Sequence, residues 1–142
     1  MSMSEAARSE QPKIFISYSR RNLGEVSRLR DDLIAVGFAA YLDLHDIAPG
    51  EPWRERLGKL IGAADTVVFA LSPTSITSTV VDWEVNEAER LQKRIIPVVI
   101  ADVANDLVPG RIIRLNFVFM RNDGEWSAGL SRLADALRID IE

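Results

Sequence analysis

The sequence contains no cysteine and a single histidine, His45. Without cysteine there is no disulfide framework, no thiol nucleophile and no thiolate zinc site, and one histidine cannot build a histidine metal cluster. The chain also lacks an apolar run of the roughly eighteen residues that would suggest a membrane helix, and no apolar signal segment follows the first Met. We therefore predict a cytoplasmic protein without a metal site, redox chemistry or membrane partner.

Composition describes an ordinary globular chain of one domain. Of the 142 residues, 47% are hydrophobic and 27% are charged, which suits a single sizeable core. Residues 1–12 are small and polar and are predicted to be a disordered leader, so the domain spans 13–142. The net charge of −4 argues against nucleic acid as a main partner, because phosphate recognition needs a concentrated basic surface.

Apolar periodicity predicts strands that alternate with helices. The predicted strands are 14–16, 38–42, 66–71, 95–100 and 117–120, and the predicted helices are 23–36, 53–64, 81–94 and 126–137. This order indicates an α/β fold with a doubly wound, five-stranded parallel sheet of flavodoxin-like order. Ligands in such folds bind outside the carboxyl ends of the strands. Pro97 is unusual in the fourth strand, since proline lacks a ladder donor and prefers an edge or a bulge.

Common nucleotide-binding and catalytic motifs of α/β proteins are missing. No glycine-rich dinucleotide loop follows the first strand, and neither a P-loop nor a Gly-x-Ser-x-Gly elbow occurs. The first strand ends in the segment SYSRR (17–21) instead of the acidic cluster of a phospho-acceptor domain. We therefore expect no retained dinucleotide cofactor.

Trp83 and Glu87 form the most informative pair, because a spacing of four residues places both on one helix face. The indole offers an apolar wall and the carboxylate a charge. A plain structural explanation competes: Glu87 can be a solvated carboxylate that pairs with Arg90, and Trp83 can belong to the core. Similar alternatives apply to Arg20 and Arg21 as exposed arginines that flank a helix, and to Ser72 as a helix cap.

Four segments in order give the chain a specific resemblance. They are FISYSRRN (15–22), YLDLHDIAPGEPW (41–53), VFALSP (68–73) and WEVNE (83–87). Together they resemble a Toll/interleukin receptor (TIR) domain of the bacterial type, from Lys13 to about Leu137. The second segment is similar to the strand and "BB" loop of that family, and the fourth is similar to its Trp-Cys-x-x-Glu motif.

The resemblance implies a function as well as a fold. Many TIR domains cleave NAD⁺ between nicotinamide and ribose with the motif glutamate, which is Glu87 by position. NAD⁺ is then a substrate and not a cofactor. Hydrolysis and cyclisation to a cyclic ADP-ribose product both stay open, and the implied context is bacterial antiphage defence or effector signalling. The residues expected to contact the substrate are Trp83, Ser17, Tyr18, Arg20, Arg21, Asp46, Gly50 and Ser72.

Glu84 departs from the pattern, since many relatives have cysteine at its position. Glu84 lies three residues before Glu87 and is expected to lie outside the substrate contacts. It is expected either to raise the pKa of Glu87 slightly or to face water. The resemblance also implies self-association, in which the loop around Pro49 and Gly50 completes the site of a neighbouring chain. Two other functions remain open: a TIR domain that only binds other TIR domains, and a nucleoside deoxyribosyltransferase.

Overall fold

The structure of the protein is a computed structural model, which describes residues 11–44 and 49–139. The predicted leader lies outside this range except for Gln11 and Pro12. The strands are β1 (Lys13–Ser17), β2 (Ala39–Tyr41), β3 (Thr66–Leu71), β4 (Arg94–Val99) and β5 (Val118–Phe119). The helices are α1 (Leu23–Ala35), α2 (Trp53–Ala63), α3 (Thr79–Arg90), α4 (Gly110–Ile113) and α5 (Asp123–Ile139), with short 3₁₀ turns at Arg20–Asn22, Ser75–Thr77 and Asn105–Leu107.

The five strands form one parallel sheet in the order β2-β1-β3-β4-β5. This confirms the predicted flavodoxin-like, doubly wound sheet. The strand order reverses between β1 and β3, because the chain first adds β2 on one side of β1 and then returns to add β3 on the other. The predicted ligand edge therefore lies where β1 and β3 end.

Apolar residues on both faces of the sheet explain why helices cover both sides. Along β1, Ile14 and Ile16 pack with α1 and α5, whereas Phe15 packs with α2 on the opposite face. All six residues of β3 are buried. A central parallel strand reads as a continuous apolar run for this reason, since neither of its faces meets water.

Helix α3 begins and ends earlier than the predicted range of 81–94. Ser78 caps its start, because the Ser78 hydroxyl accepts a hydrogen bond from the amide of Val81. Its end precedes Gln92, whose φ of 58° is left-handed and cannot continue a helix. Strand β4 therefore starts at Arg94 rather than at Ile95.

Pro97 lies in an interior strand, at a position where its missing donor is tolerated. The amide of Met120 donates to the carbonyl oxygen of Val99, so the backbone amide and carbonyl groups of Val99 point toward β5. The backbone groups of residues two apart on a strand point to the same side, so the backbone nitrogen of Pro97 also faces the β5 side. Strand β5 pairs with Val98 and Val99. The pairing does not extend to Pro97, so no carbonyl group of β5 requires a donor there.

No helix in the described part of the chain is long and apolar enough to cross a membrane.

Gly129 fixes the distance between α5 and β5. A Cβ atom at this position would overlap the Met120 side chain and lie 2.6 Å from the carbonyl oxygen of Phe119. We predict that Gly129→Ala lowers the free energy of unfolding by about 2 kcal/mol or more, because a backbone oxygen cannot rotate away. Urea denaturation measures the change.

Gly62→Ala is the matched control, since Gly62 is an exposed glycine of α2 with open space around its Cβ position. This variant should gain up to about 1 kcal/mol from helix propensity. Equal stability of the two variants would show that α5 does not depend on this close approach.

Candidate functional site

A small cavity lies at the carboxyl ends of β1 and β2, beside the reversal of strand order. Its volume is about 140 Å³. Segments that follow the two strands supply one wall, and α2 and α3 supply the other. Its lining residues are Tyr18, Ser19, Arg20, Asp43, Leu57, Ser78, Val80 and Glu84.

Glu84 is the buried carboxyl group of this cavity. Its relative exposure is 5%, and its Oε1 accepts a 2.7 Å hydrogen bond from the hydroxyl of Ser17, the last residue of β1. Burial raises the pKa of Glu84 to about 8, and the negative charge of Asp43 adds to the rise, while the Ser17 hydrogen bond and the Arg20 charge oppose it. The cavity therefore contains a carboxyl group that is poised between its neutral and charged forms near neutral pH.

Two hydrogen bonds from side chains to backbone oxygens stabilise the cavity wall beside Glu84. The Tyr18 hydroxyl donates to the carbonyl oxygen of Asp43 at 2.8 Å. The Arg20 guanidinium donates to the carbonyl oxygen of Leu44 at 3.0 Å. These contacts join the end of β1 to the segment after β2, which places the Asp43 side chain at the cavity.

Glu87 and Trp83 do share one helix face, as their spacing predicts, but this face packs against α2 instead of the cavity. The Trp83 ring lies 5.3 Å from the Trp53 ring in an edge-on arrangement. A Cβ at Gly58 of α2 would lie 3.7 Å from Glu87 Oε2 and 3.8 Å from Trp83 Cη2. Neither residue lines the cavity.

The Glu87 carboxylate is already paired on its own helix. Both of its oxygens accept hydrogen bonds from the Arg90 guanidinium, at 2.8 and 2.7 Å. These bonds lower the pKa of Glu87. The alternative that Glu84 faces water is wrong, because its side chain is buried at the cavity. That Glu84 lies outside the substrate contacts stays a prediction.

A sequence signal for Glu84 was present in the apolar stripe of α3. Val80, Val81, Val85 and Ala88 recur at helical spacing, and Glu84 falls within their stripe. A lone carboxylate among inward-facing residues predicts a buried acid. Ser19, Leu57 and Ser78 carried no comparable signal, because only tertiary packing brings them to the cavity.

The remaining predicted site residues are distributed unevenly. Ser17, Tyr18 and Arg20 meet at or beside the cavity. Ser72 is buried and does not line the cavity, and its hydroxyl donates to Asn22 Oδ1 at 2.7 Å. Arg21 is exposed in the first 3₁₀ turn and does not line the cavity. Asp46 lies outside the described residues.

Gly50 occupies a turn that follows the gap in the described residues. Its φ is 79°, a left-handed value that side chains rarely adopt. The turn thus requires glycine, and contact between Gly50 and a substrate stays a prediction. Within 11–44 and 49–139, no three His, Cys, Asp or Glu side chains lie together as a metal site would need.

Comparison with known proteins identifies the family. The family model described as TIR domain matches residues 14–134. The chain is a TIR domain. No curated protein matches it.

Solved structures share the TIR fold at low sequence identity. The TIR domain of the Toll-related receptor TRR-2 from Hydra magnipapillata has a TM-score of 0.74 and 17% identity, with coverage of 88% of this chain and 97% of that one. The RPS4–RRS1 TIR heterodimer gives 0.68 and 15%, with coverage of 92% and 97%. The Clostridium botulinum CMP N-glycosidase BcmB gives 0.56 and 14%, with coverage of 87% and 98%.

The elevated pKa of Glu84 links the stability of this TIR domain to pH. Between the ordinary value of 4.5 and about 8, the folded protein holds a proton that the unfolded chain has released, so rising pH destabilises the fold. A glutamine in place of Glu84 would carry no such proton. We predict that the stability of Glu84→Gln relative to the parent increases by on the order of a few kcal/mol between about pH 5 and pH 8.

Denaturant unfolding at several pH values measures this difference, with Glu87→Gln as the control. Glu87 has a lowered pKa, so it adds stability above its unfolded pKa and loses that stability only in acid. Its variant should stay parallel to the parent from about pH 6 to 8. A flat difference for Glu84→Gln would mean that the buried carboxyl group titrates normally.

Proposed function

We propose that this TIR domain is an NAD⁺ glycohydrolase and that Glu84 is its reacting carboxylate. The observation that supports this most directly is the location of Glu84. It is a buried carboxyl group in a cavity at the carboxyl ends of β1 and β2, with Ser17 holding one oxygen in place. Ligands of doubly wound sheets bind at this edge.

The chemistry needs one carboxylate and no acid. The bond between the nicotinamide nitrogen and C1′ of the ribose breaks, and its electron pair stays on the pyridinium nitrogen, so that nicotinamide leaves as a neutral molecule. The positive charge then resides on the oxocarbenium-like sugar. A carboxylate opposite that sugar stabilises the charge, as carboxylates do in glycoside hydrolysis.

This proposal moves the reacting carboxylate from Glu87 to Glu84. Glu87 is bound by Arg90 and packs on α2, so its charge is neutralised by a pair outside the cavity. Among the described residues, Ser17 donates a hydrogen bond to Glu84, and the buried Glu84 side chain otherwise lines the cavity. Such a carboxylate gains most from a cation placed beside it, because burial removes the competing water.

The other cavity residues suggest how the substrate is held. Arg20 brings a guanidinium to the rim, where it suits a diphosphate oxygen. Tyr18 lines the wall, and its hydroxyl holds the segment after β2 in place by donating to the Asp43 carbonyl oxygen. After the departure of nicotinamide, attack by water gives ADP-ribose, and attack by an adenine nitrogen gives a cyclic product.

A solved relative supports chemistry of this type. The TIR-like fold is shared with an enzyme described as a CMP N-glycosidase, so the same architecture serves another protein that acts on an N-glycosidic bond of a nucleotide. We also propose that the protein acts in the cytoplasm, in bacterial defence or effector signalling.

The size of the cavity supports self-association. Ligand pockets usually enclose about 300–1,000 Å³, whereas this cavity offers about 140 Å³. This volume suits a single ring of NAD⁺ better than the whole dinucleotide. We propose that a second TIR domain supplies the missing wall; two TIR domains pair in the RPS4–RRS1 heterodimer.

The alternative function is a TIR domain that acts only through contacts with other TIR domains. The solved heterodimer favours it, but it gives no reason to bury Glu84. The two functions differ in one measurement, which is nicotinamide release by concentrated protein.

We predict that Glu84→Gln reduces NAD⁺ cleavage by more than about a hundredfold, because it removes the charge that opposes the oxocarbenium ion and keeps the size of the side chain. Glu87→Gln should retain most of the activity. Nicotinamide release at matched protein concentration and confirmed folding measures both. Full activity of Glu84→Gln together with an inactive Glu87→Gln would return the assignment to Glu87.

Self-association predicts that specific activity rises steeply with protein concentration. Gly50→Pro should suppress the rise, because proline fixes φ near about −65° and the turn needs 79°. Sedimentation velocity should show the loss of association in parallel, after circular dichroism has shown a native fold. Activity that is strictly proportional to concentration, with Gly50→Pro as active as the parent, would show that one chain holds a complete site.

A further inference from the structure

An open groove of about 820 Å³ lies at the amino ends of β4 and β5. It is lined by the first residues of β4, the segment between α4 and β5, the end of α3 and the C-terminal half of α5. The Glu84 cavity lies at the carboxyl ends of β1 and β2, so the two sites occupy opposite edges of the parallel sheet. The groove has the volume of a ligand pocket, which is usually about 300–1,000 Å³.

Positive charge is concentrated in this groove. One lining residue, Glu89, is acidic, whereas five are basic: Lys93, Arg94, Arg111, Arg114 and Arg132. The whole chain has a net charge of −4. The groove therefore reverses the sign of the protein's overall charge, and its local field attracts anions.

Two of the five cations bind the ends of helices. The Arg94 guanidinium donates to the carbonyl oxygen of Ala136 at 2.6 Å, and the Lys93 ammonium donates to the carbonyl oxygen of Gly62 at 3.1 Å. Ala136 and Gly62 lie in the last turns of α5 and α2, where basic side chains stabilise a helix. These two cations thus have a structural role.

Arg114 and Arg132 have no comparable role. Arg111 pairs with Glu89, the acid of the groove, at 2.9 Å. In the ranges 11–44 and 49–139, by contrast, neither Arg114 nor Arg132 forms a hydrogen bond or an ion pair, and both are exposed. They reach the groove from separate segments, after α4 and from α5. Two like charges in one groove repel each other, and a bound anion would relieve that repulsion.

Apolar residues supply much of the remaining lining. They are Ile95, Ile96, Ile112, Leu115, Phe117 and Val118. A guanidinium matches phosphate oxygens with two parallel hydrogen bonds, whereas apolar lining favours an organic ring over water. A ligand that combines phosphate groups with a ring uses both features.

We propose that this basic groove binds a nucleotide, with Arg114 and Arg132 on its phosphate oxygens and the apolar residues against its base. Glu89, the carboxylate of the described lining, is already paired with Arg111. The groove is therefore a binding site and not a second reaction centre. The proposal does not depend on NAD⁺ cleavage at Glu84, because the two sites share no lining residue.

Amide NMR titrations of the whole chain test the binding, with adenosine, AMP, ADP and pyrophosphate as probes. ADP should shift the signals of Ile95, Leu115 and Phe117 saturably. Affinity should rise from adenosine to AMP to ADP, because each phosphate adds negative charge. Pyrophosphate should bind about tenfold more weakly than ADP, since it cannot use the apolar lining.

The double variant Arg114→Gln/Arg132→Gln should weaken ADP binding by about tenfold or more, because it removes two charge-assisted contacts. Arg114→Lys/Arg132→Lys keeps both charges and should weaken it less. Arg54→Gln/Lys59→Gln is the matched control: both residues are exposed on α2, outside the groove, and the net charge changes equally. The control should bind ADP like the parent, after circular dichroism has shown all variants native.

Leu115→Ser separates the base from the phosphates. Leu115 is 37% exposed, so the substitution leaves the core intact. It should weaken ADP binding and leave pyrophosphate binding unchanged, because only the nucleotide uses the apolar lining.

Three results would overturn the proposal. The first is an ADP titration that shifts only amides of the other cavity, such as those of Tyr18 and Ser78. The second is pyrophosphate binding as tight as ADP binding, which would mean that the groove attracts any anion. The third is an Arg114→Gln/Arg132→Gln protein that binds ADP as the parent does. Loss of self-association in that variant, without nucleotide binding by the parent, would assign the groove to a protein contact instead.

Discussion

The hydrogen bond from Ser17 to Glu84 joins β1, an interior strand of the sheet, to the helix that carries the acid, and the site depends on it. A buried carboxyl group without a partner would cost several kcal/mol. Here the last residue of β1 supplies one donor at 2.7 Å, and the remaining cost appears as an elevated pKa. The fold tolerates Glu84 by leaving it neutral over much of the physiological pH range.

The orientation of α3 follows from its second face. Trp83 packs edge-on against Trp53, and Glu87 approaches α2 where Gly58 leaves room. These contacts fix the rotation of α3 about its axis, and the rotation turns Glu84 into the cavity. Trp83 and Glu87, which made the WEVNE segment conspicuous, thus pack α3 against α2. Glu84 lies on another face of α3 and lines the cavity.

The fold was predictable because its signals are local. The apolar run 66–71 and the stripes of α1 and α2 each report burial through their own spacing, and alternating elements leave few topologies. The site was only half predictable. Spacing correctly placed Trp83 and Glu87 on one face, but which face of α3 meets the sheet depends on Trp53 and Gly58, which lie far earlier in the chain. The helix end near Gln92 depended on a backbone angle that no composition rule specifies.

Burial, charge and substrate choice are linked in this arrangement. A neutral Glu84 costs little to keep in the cavity, because Ser17 donates a hydrogen bond to one of its oxygens. The oxidised pyridinium ring of NAD⁺ is a cation. A cation next to Glu84 would lower the pKa of Glu84 and favour its ionised form. A reduced, uncharged nicotinamide ring provides no such stabilisation. If the substrate is NAD⁺ as proposed, part of the energy that charges Glu84 comes from the substrate itself. The charge of the ring then adds to the leaving-group chemistry in favouring the oxidised over the reduced dinucleotide.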